Sequence, residues 1–275
     1  MLQAIIKTLA YASIFNYTLT PKEIHHWLIG EKASFKEVQA GLKKIKLSTN
    51  FVDRKNKDKI ARRKWIIAKK VAKSLIRIPS VLSILVTGNL SMNNSGIDDD
   101  IDLLIITKKN TIWTTRFLAN ITTDLLKVRR RPMDKTFKDK ICLNMFLDEE
   151  HLKIKDQNIY TAHELLQAKP IYDKNHTYQK FISTNSWAKN YLPNAYPNIN
   201  NYQTINYHQN YLFKILEPTF CFIQKQYMRS KITRETITDG QLLFHPKNTK
   251  ESIIKKYSHL TKNKPAVKIA VETKE

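Results

Sequence analysis

Val86-Thr87-Gly88-Asn89-Leu90-Ser91, followed after a polar loop by Asp100-Ile101-Asp102-Leu103, is the stretch on which the reading of this chain turns. It places a glycine turn behind an apolar strand and an Asp-x-Asp pair at the start of the next. Residues i and i+2 of a strand point to the same side, so Asp100 and Asp102 can converge on one site. Two carboxylates that close repel each other unless a divalent cation lies between them. Gly88, with no Cβ, lets backbone N–H groups come close to a phosphate, and Asn89 and Ser91 are polar neighbours in the same turn. Such parts suit a nucleoside triphosphate held with Mg²⁺ or Mn²⁺ for in-line attack at its α-phosphorus, the metal on Asp100 and Asp102.

Working outward, Val81–Thr87 is β-rich and Ile101–Thr107 is a second apolar run, so both read as strands around the loop at 88–99. Lys108-Lys109-Asn110 turns into a helix from Thr111 to Lys127, on which Arg116 is a candidate triphosphate contact. Ile141–Leu147 is a third strand, whose alternation puts Cys142, Asn144 and Phe146 on one face. Upstream, residues 60–77 read as a basic amphipathic helix. Ala61, Trp65, Ala68, Ala72 and Leu75 form its apolar stripe; Arg62, Arg63, Lys64, Lys69, Lys70, Lys73 and Arg77 supply the charge. Downstream the chain reads as helical, over 160–168, 178–191, 202–228 and 250–260. Asp98-Asp99-x-x-Asp102 matches the acidic motif of prenyl-transfer enzymes, but those carboxylates need a helix and Leu103–Ile106 reads as strand.

The first fifty residues carry three helical patterns. Thr20-Pro21-Lys22-Glu23 and Ser34-Phe35-Lys36-Glu37 are both capping boxes, with Pro21 at a first helical position. Asn50–Asp53 and a polar turn at Arg54–Lys59 read as a short β-ribbon. Three helices and a ribbon are the parts of a winged helix-turn-helix, with the third helix for recognition. Lys36, Gln39 and Lys43 on that helix and Arg54 and Lys55 on the turn are then the candidate DNA contacts.

The chain has 275 residues, with 47 Lys plus Arg against 24 Asp plus Glu, a formal net charge of +23. That excess favours polyanionic partners, nucleotide or nucleic acid, although part of it belongs to a general Lys, Asn and Ile bias. The 2 cysteines, Cys142 and Cys221, exclude a disulfide framework and a Cys-based zinc site. No apolar run approaches the ~20 residues of a spanning helix. The expectation is a protein without a secretory leader, in the cytoplasm and off the membrane.

Residues 86–107 resemble the nucleotidyltransferase superfamily related to DNA polymerase beta and the minimal nucleotidyltransferases. That family's pattern is a hydrophobic residue, Gly-Ser or Gly-Gly, a loop, then Asp-hydrophobic-Asp before an apolar strand. More loosely, the whole chain is similar to bacterial proteins that join an N-terminal winged helix to such a domain. They share the stretches standing here as Arg62–Trp65, Arg129–Pro132, Asp139–Asn144 and Tyr160–Leu165. The resemblance implies an α+β fold: a winged helix at 1–58, a small mixed-sheet nucleotidyltransferase core with flanking helices at 59–150, a helical region at 151–262 and a loose tail at 263–275. It implies transfer of a nucleoside monophosphate from a nucleoside triphosphate to an acceptor, with Asp100 and Asp102 catalytic and Gly88, Asn89 and Ser91 on the phosphates. Two positions depart from the pattern. Asn89 stands where the family has Ser, and Asn144 stands where it often adds a third carboxylate as ligand and base, leaving Asp148 as the other acid near that strand. A nucleotidyltransferase fold without catalysis, acting as a nucleic-acid-binding or regulatory module, is the alternative these departures keep open.

Overall fold

The structure, a computed structural model, describes residues 1–45, 54–131, 133–199, 211–229, 236–244 and 247–262. Its central strand, β2 (Ile101–Thr107), is buried along almost its whole length. A run such as Leu103-Leu104-Ile105-Ile106 needs cover on both faces, as central strands with a parallel neighbour do. β1 (Val81–Val86) lies antiparallel to β2 on one side, and β3 (Ile141–Asp148) parallel to it on the other. β4 (Lys169–Asp173) extends the β1 edge, and β6 (Gln241–Leu243) with β5 (Thr236–Ile237) extends the β3 edge. The order is β4-β1-β2-β3-β6-β5.

Among the described residues ten helices surround this mixed sheet. The N-terminal ones are α1 (Leu2–Ser13), α2 (Pro21–His26) and α3 (Phe35–Leu42), and both capping boxes form: Thr20 with Glu23, Ser34 with Glu37. α4 (Arg54–Leu75) is followed by the short α5 (Gly88–Ser91) and by α6 (Ile112–Leu125), the crossover that parallel β2 and β3 require. α7 (Ile159–Gln167), α8 (Thr177–Thr184), α9 (Tyr211–Met228) and α10 (Lys247–Lys262) complete the set. On one face of the sheet, Ala68 and Leu75 of α4, Trp113 of α6 and Phe213 of α9 pack on Ile84, Leu103, Ile105 and Phe146. On the other, Leu9 of α1, Ile24 of α2, Leu165 of α7 and Phe181 of α8 join Leu85, Leu104, Ile106 and Leu147.

Several sequence expectations change. Arg54–Lys59, read as the turn of a wing, is the first part of α4. Four of those six residues are Arg or Lys, which are good helix formers, and Arg54 is fixed there by two 2.8 Å bonds to Glu23. The preceding ribbon residues 50–53 and the tail 263–275 lie outside the described residues. The region after 150, read as helical, also supplies β4, β5 and β6, so half the strands of the sheet come from it. Lys64, assigned to the charged side of its helix, is fully buried.

The N-terminal helices meet α7 through stacked rings. Tyr11 lies on His163 at 4.0 Å and 8° between planes, and Trp27 is 5.6 Å from the same imidazole. Burial holds His163 neutral, its pKa pushed down to about 3. A histidine depressed in the folded state contributes stability that is present above its ordinary 6.5 and lost as pH falls toward that lower value. His163→Phe keeps the ring stack and removes the titration. Its melting temperature should fall less than the wild type's as pH drops from 6.5, read by thermal unfolding across an acid pH series; parallel curves would place the acid sensitivity elsewhere.

Candidate active site

Gly88 opens α5 with φ +62, the left-handed region that glycine enters without strain. The space matters as much as the angle: a Cβ at Gly88 would lie 2.6 Å from Asp102 Oδ2. The backbone N–H of Thr87 donates to the Asp102 carbonyl at 3.0 Å. The glycine turn and the second aspartate are therefore closed against each other. Asp100 stands just before β2 and Asp102 within it. One ligand atom each from Asp100, Asp102 and Cys142 lies within 4.8 Å of the others, so this cluster can hold a metal ion.

The electrostatics follow from that crowding. Burial first, then the neighbouring Asp100 and Glu164, push the Asp102 carboxyl up from 3.8 to about 8. Burial and the same two aspartates keep Cys142 a thiol, its pKa raised. Arg130 pairs with Asp100, approaches Cys142 Sγ at 3.7 Å and lies over the Phe137 ring at 4.3 Å. The loop leading to Asp100 is held from below by Lys64, whose ammonium donates to the carbonyls of Asp99 and Ile97 and pairs with Asp139 at 3.2 Å.

The turn's other polar residues are committed within it. Ser91 Oγ donates to the Gly88 carbonyl at 2.8 Å, and Asn89 Nδ2 donates to Asp99 Oδ2 at 3.0 Å. Asn144 does face the aspartates, donating Nδ2 to Asp102 Oδ1 at 2.9 Å. Its face-mates differ from the alternation read in the sequence. The register slips between Asp102 opposite Cys142 and Leu104 opposite Met145, and Phe146 goes to the opposite side of the sheet. Asp148 is not part of the site. It pairs with Thr107, five residues beyond Asp102, about 17 Å away at ~3.3 Å per residue. There it accepts from the Asn110 and Glu150 N–H groups. Arg116 is also engaged elsewhere: it donates to Gln224 Oε1 and lies over Phe244 at 4.6 Å. Of the DNA candidates, Lys36, Gln39, Lys43 and Lys55 are exposed, whereas Arg54 is tied to Glu23, Tyr17 and the Thr18 carbonyl.

The donor set fits a hard divalent cation. Two carboxylates supply the oxygens such ions prefer, and Asn144 Oδ1 beside them is buried with no hydrogen-bond partner. The Cys142 thiol is the poorest donor of the three for that class of ion. Sequence reasoning passes over one acid, Glu164 of α7. Its charge acts on Asp102, and it lines two cavities: one of about 70 Å³ with Gly88, Asn89, Tyr11 and Trp27, and one of about 190 Å³ with Thr87 and Leu104. The available signal was its place in the Tyr160–Leu165 stretch.

Asp102 carries a pH signature. A carboxyl whose folded pKa is raised binds a proton that the unfolded chain has released, so its contribution to stability is lost as pH rises from 3.8 through about 8. In metal-free buffer, Asp102→Asn should flatten the decline in melting temperature across that range. An unchanged slope would show Asp102 already ionised.

No family model matches this chain, and no curated protein matches it. Among solved structures it aligns with a toxin–antitoxin crystal structure with AMP-PNP, 10% identical, over 59% of this chain and 93% of that one, at a TM-score of 0.26. A likeness that slight carries no argument about the fold or the site.

Proposed function

We propose that this chain is a metal-dependent nucleotidyltransferase, moving a nucleoside monophosphate from a nucleoside triphosphate to an acceptor. One observation carries the reading: the Gly88 turn is closed on Asp102 Oδ2, with Asp100 beside it. The setting supports it, since the turn joins two antiparallel strands and a parallel third strand lies against the second. Asp100 and Asp102 would hold Mg²⁺ or Mn²⁺, which when bound offsets their charge and polarises the phosphates. The N–H groups of the Gly88–Ser91 turn are the phosphate contacts, and Arg130 brings a guanidinium to the same place. Asn144 holds Asp102 in position through its amide. In this proposal α1–α3 form a winged-helix-like module whose exposed Lys36, Gln39 and Lys43 suit a polyanion.

Mg²⁺ and a non-hydrolysable nucleoside triphosphate, added together to the whole protein, should raise its melting temperature by mass action. Asp100→Asn and Asp102→Asn should each remove that shift. If both variants keep it, the nucleotide binds elsewhere and the reading fails.

A second reading, a binding module without catalysis, is favoured by Asn144 itself, because an amide cannot take the acceptor's proton. Pyrophosphate release by the wild type should therefore be slow. Asn144→Asp should raise it, within the ~10²–10⁴ that a positioned base contributes. Release by neither protein, with the Mg²⁺-triphosphate shift intact, would favour the binding module.

A further inference from the structure

Besides the loop that carries Asp100, α4 borders an open groove of about 620 Å³. The groove runs between α4, the residues that follow the Gly88–Ser91 turn, and the β4 edge of the sheet. The basic stretch Arg62–Trp65 divides between these two surroundings. Arg63 and Lys64 go to Asp139, and Lys64 also to the carbonyls of Ile97 and Asp99. Arg62 and Trp65 line the groove instead, together with Lys69. Positions 62, 65 and 69 follow the i, i+3, i+7 spacing of one helix face. Lys169, at the start of β4, lines the groove with them.

The ring in the middle of this face is held in place. Trp65 Nε1 donates to Asn93 Oδ1 at 2.9 Å, and part of the side chain packs on the core. Around it Arg62, Lys69 and Lys169 are exposed, the Lys169 ammonium 5.9 Å from the ring centre. Asp58, one turn before Arg62, is the acid among the lining residues. Glu23, whose charge also reaches Lys169, accepts two bonds from Arg54. Cations set about an oriented indole suit a phosphate chain that carries flat bases. A duplex keeps its bases stacked inside, whereas a single strand offers their faces to such a ring.

We infer that this groove binds single-stranded nucleic acid, with a base stacked on Trp65 and the phosphates beside it on Arg62, Lys69 and Lys169. Arg62 and Lys69 are seven residues apart, about 10 Å at ~1.5 Å per residue, so their long side chains meet phosphates on either side of that base. Lys169 exchanges the ring for a phosphate, a movement its flexible stem allows. Neither Asp100 nor Asp102 lines the groove. Binding there needs no metal and no triphosphate, and it does not rest on the transferase reading.

Labelled oligo(dT) and oligo(U), with a blunt duplex of the same length, test the groove by fluorescence anisotropy on the full chain over a salt series, without metal or triphosphate. Both single strands should bind more tightly than the duplex, with affinity falling as salt rises; comparing the two gives the preferred sugar. Trp65→Leu should weaken the single strands about tenfold and leave competition by inorganic polyphosphate, which has no base, unchanged. Trp65→Phe, which keeps a ring, should recover most of that loss. Arg62→Gln and Lys169→Gln, at exposed positions that folding tolerates, should each lower the salt slope by about 0.7. Lys36→Gln and Lys43→Gln on α3 should leave single-strand binding as it is. Duplex bound as tightly as single strands, equal affinity in wild type and Trp65→Leu, or a loss confined to the α3 variants overturns the inference. If Mg²⁺-triphosphate stabilisation survives that result, the transferase reading stands without the groove.

Discussion

The contact between Gly88 and the Asp102 carboxylate is the constraint on which the rest depends. A side chain at position 88 would displace the Asp102 carboxylate, because its first carbon would lie 2.6 Å from Oδ2. With hydrogen there instead, the turn closes, Thr87 bonds to the Asp102 backbone, and the Asp102 side chain is left half-buried. Desolvation next to Asp100 then makes Asp102 hard to ionise. The same property makes the pair receptive to a cation, since an ion that relieves repulsion in a partly buried site gains more than it would in water. The shape of one turn thus sets the chemistry of the strand beside it.

The loop between turn and strand is held by buried charge. Taking an ammonium out of water costs several kcal/mol unless acceptors replace the solvent, and Lys64 has two carbonyls and a carboxylate. Arg63 shares Asp139, Arg130 pairs with Asp100, and Arg129 and Arg131 share Asp124. The basic runs at 62–64 and 129–131 are in large part scaffolding for acids. A net charge of +23 therefore overstates the cationic surface offered to a polyanion. The exposed lysines of α3 and α4 are the better measure of it.

What could be read from sequence was what is local. The capping boxes at Thr20 and Ser34 need four consecutive residues, and both form. β1, β2 and β3 announce themselves as apolar runs. β4 contains Pro170 and half-exposed or exposed residues, and β5 and β6 have two and three residues, so neither period nor length marks them. Asp100 and Asp102 do come together, with Asp100 just before β2 rather than on it. On β3 the slip beside Leu143 and Asn144 kept Asn144 toward Asp102 and sent Phe146 to the far face. Lys64 and Glu164 were not legible because their roles come from partners distant in the chain: the 97–99 loop for one, Asp102 for the other.

α4 carries a last consequence. It runs unbroken for 22 residues, about 33 Å at ~1.5 Å per residue. Arg54 at its start is clasped to Glu23 of α2, and Lys64, ten residues on, is buried beneath the loop that presents Asp100. A continuous helix has no joint in which to absorb a rotation. A tilt imposed on the N-terminal helices is therefore delivered, like the throw of a lever, halfway along that rod to the carbonyls of residues 97 and 99, next to Asp100.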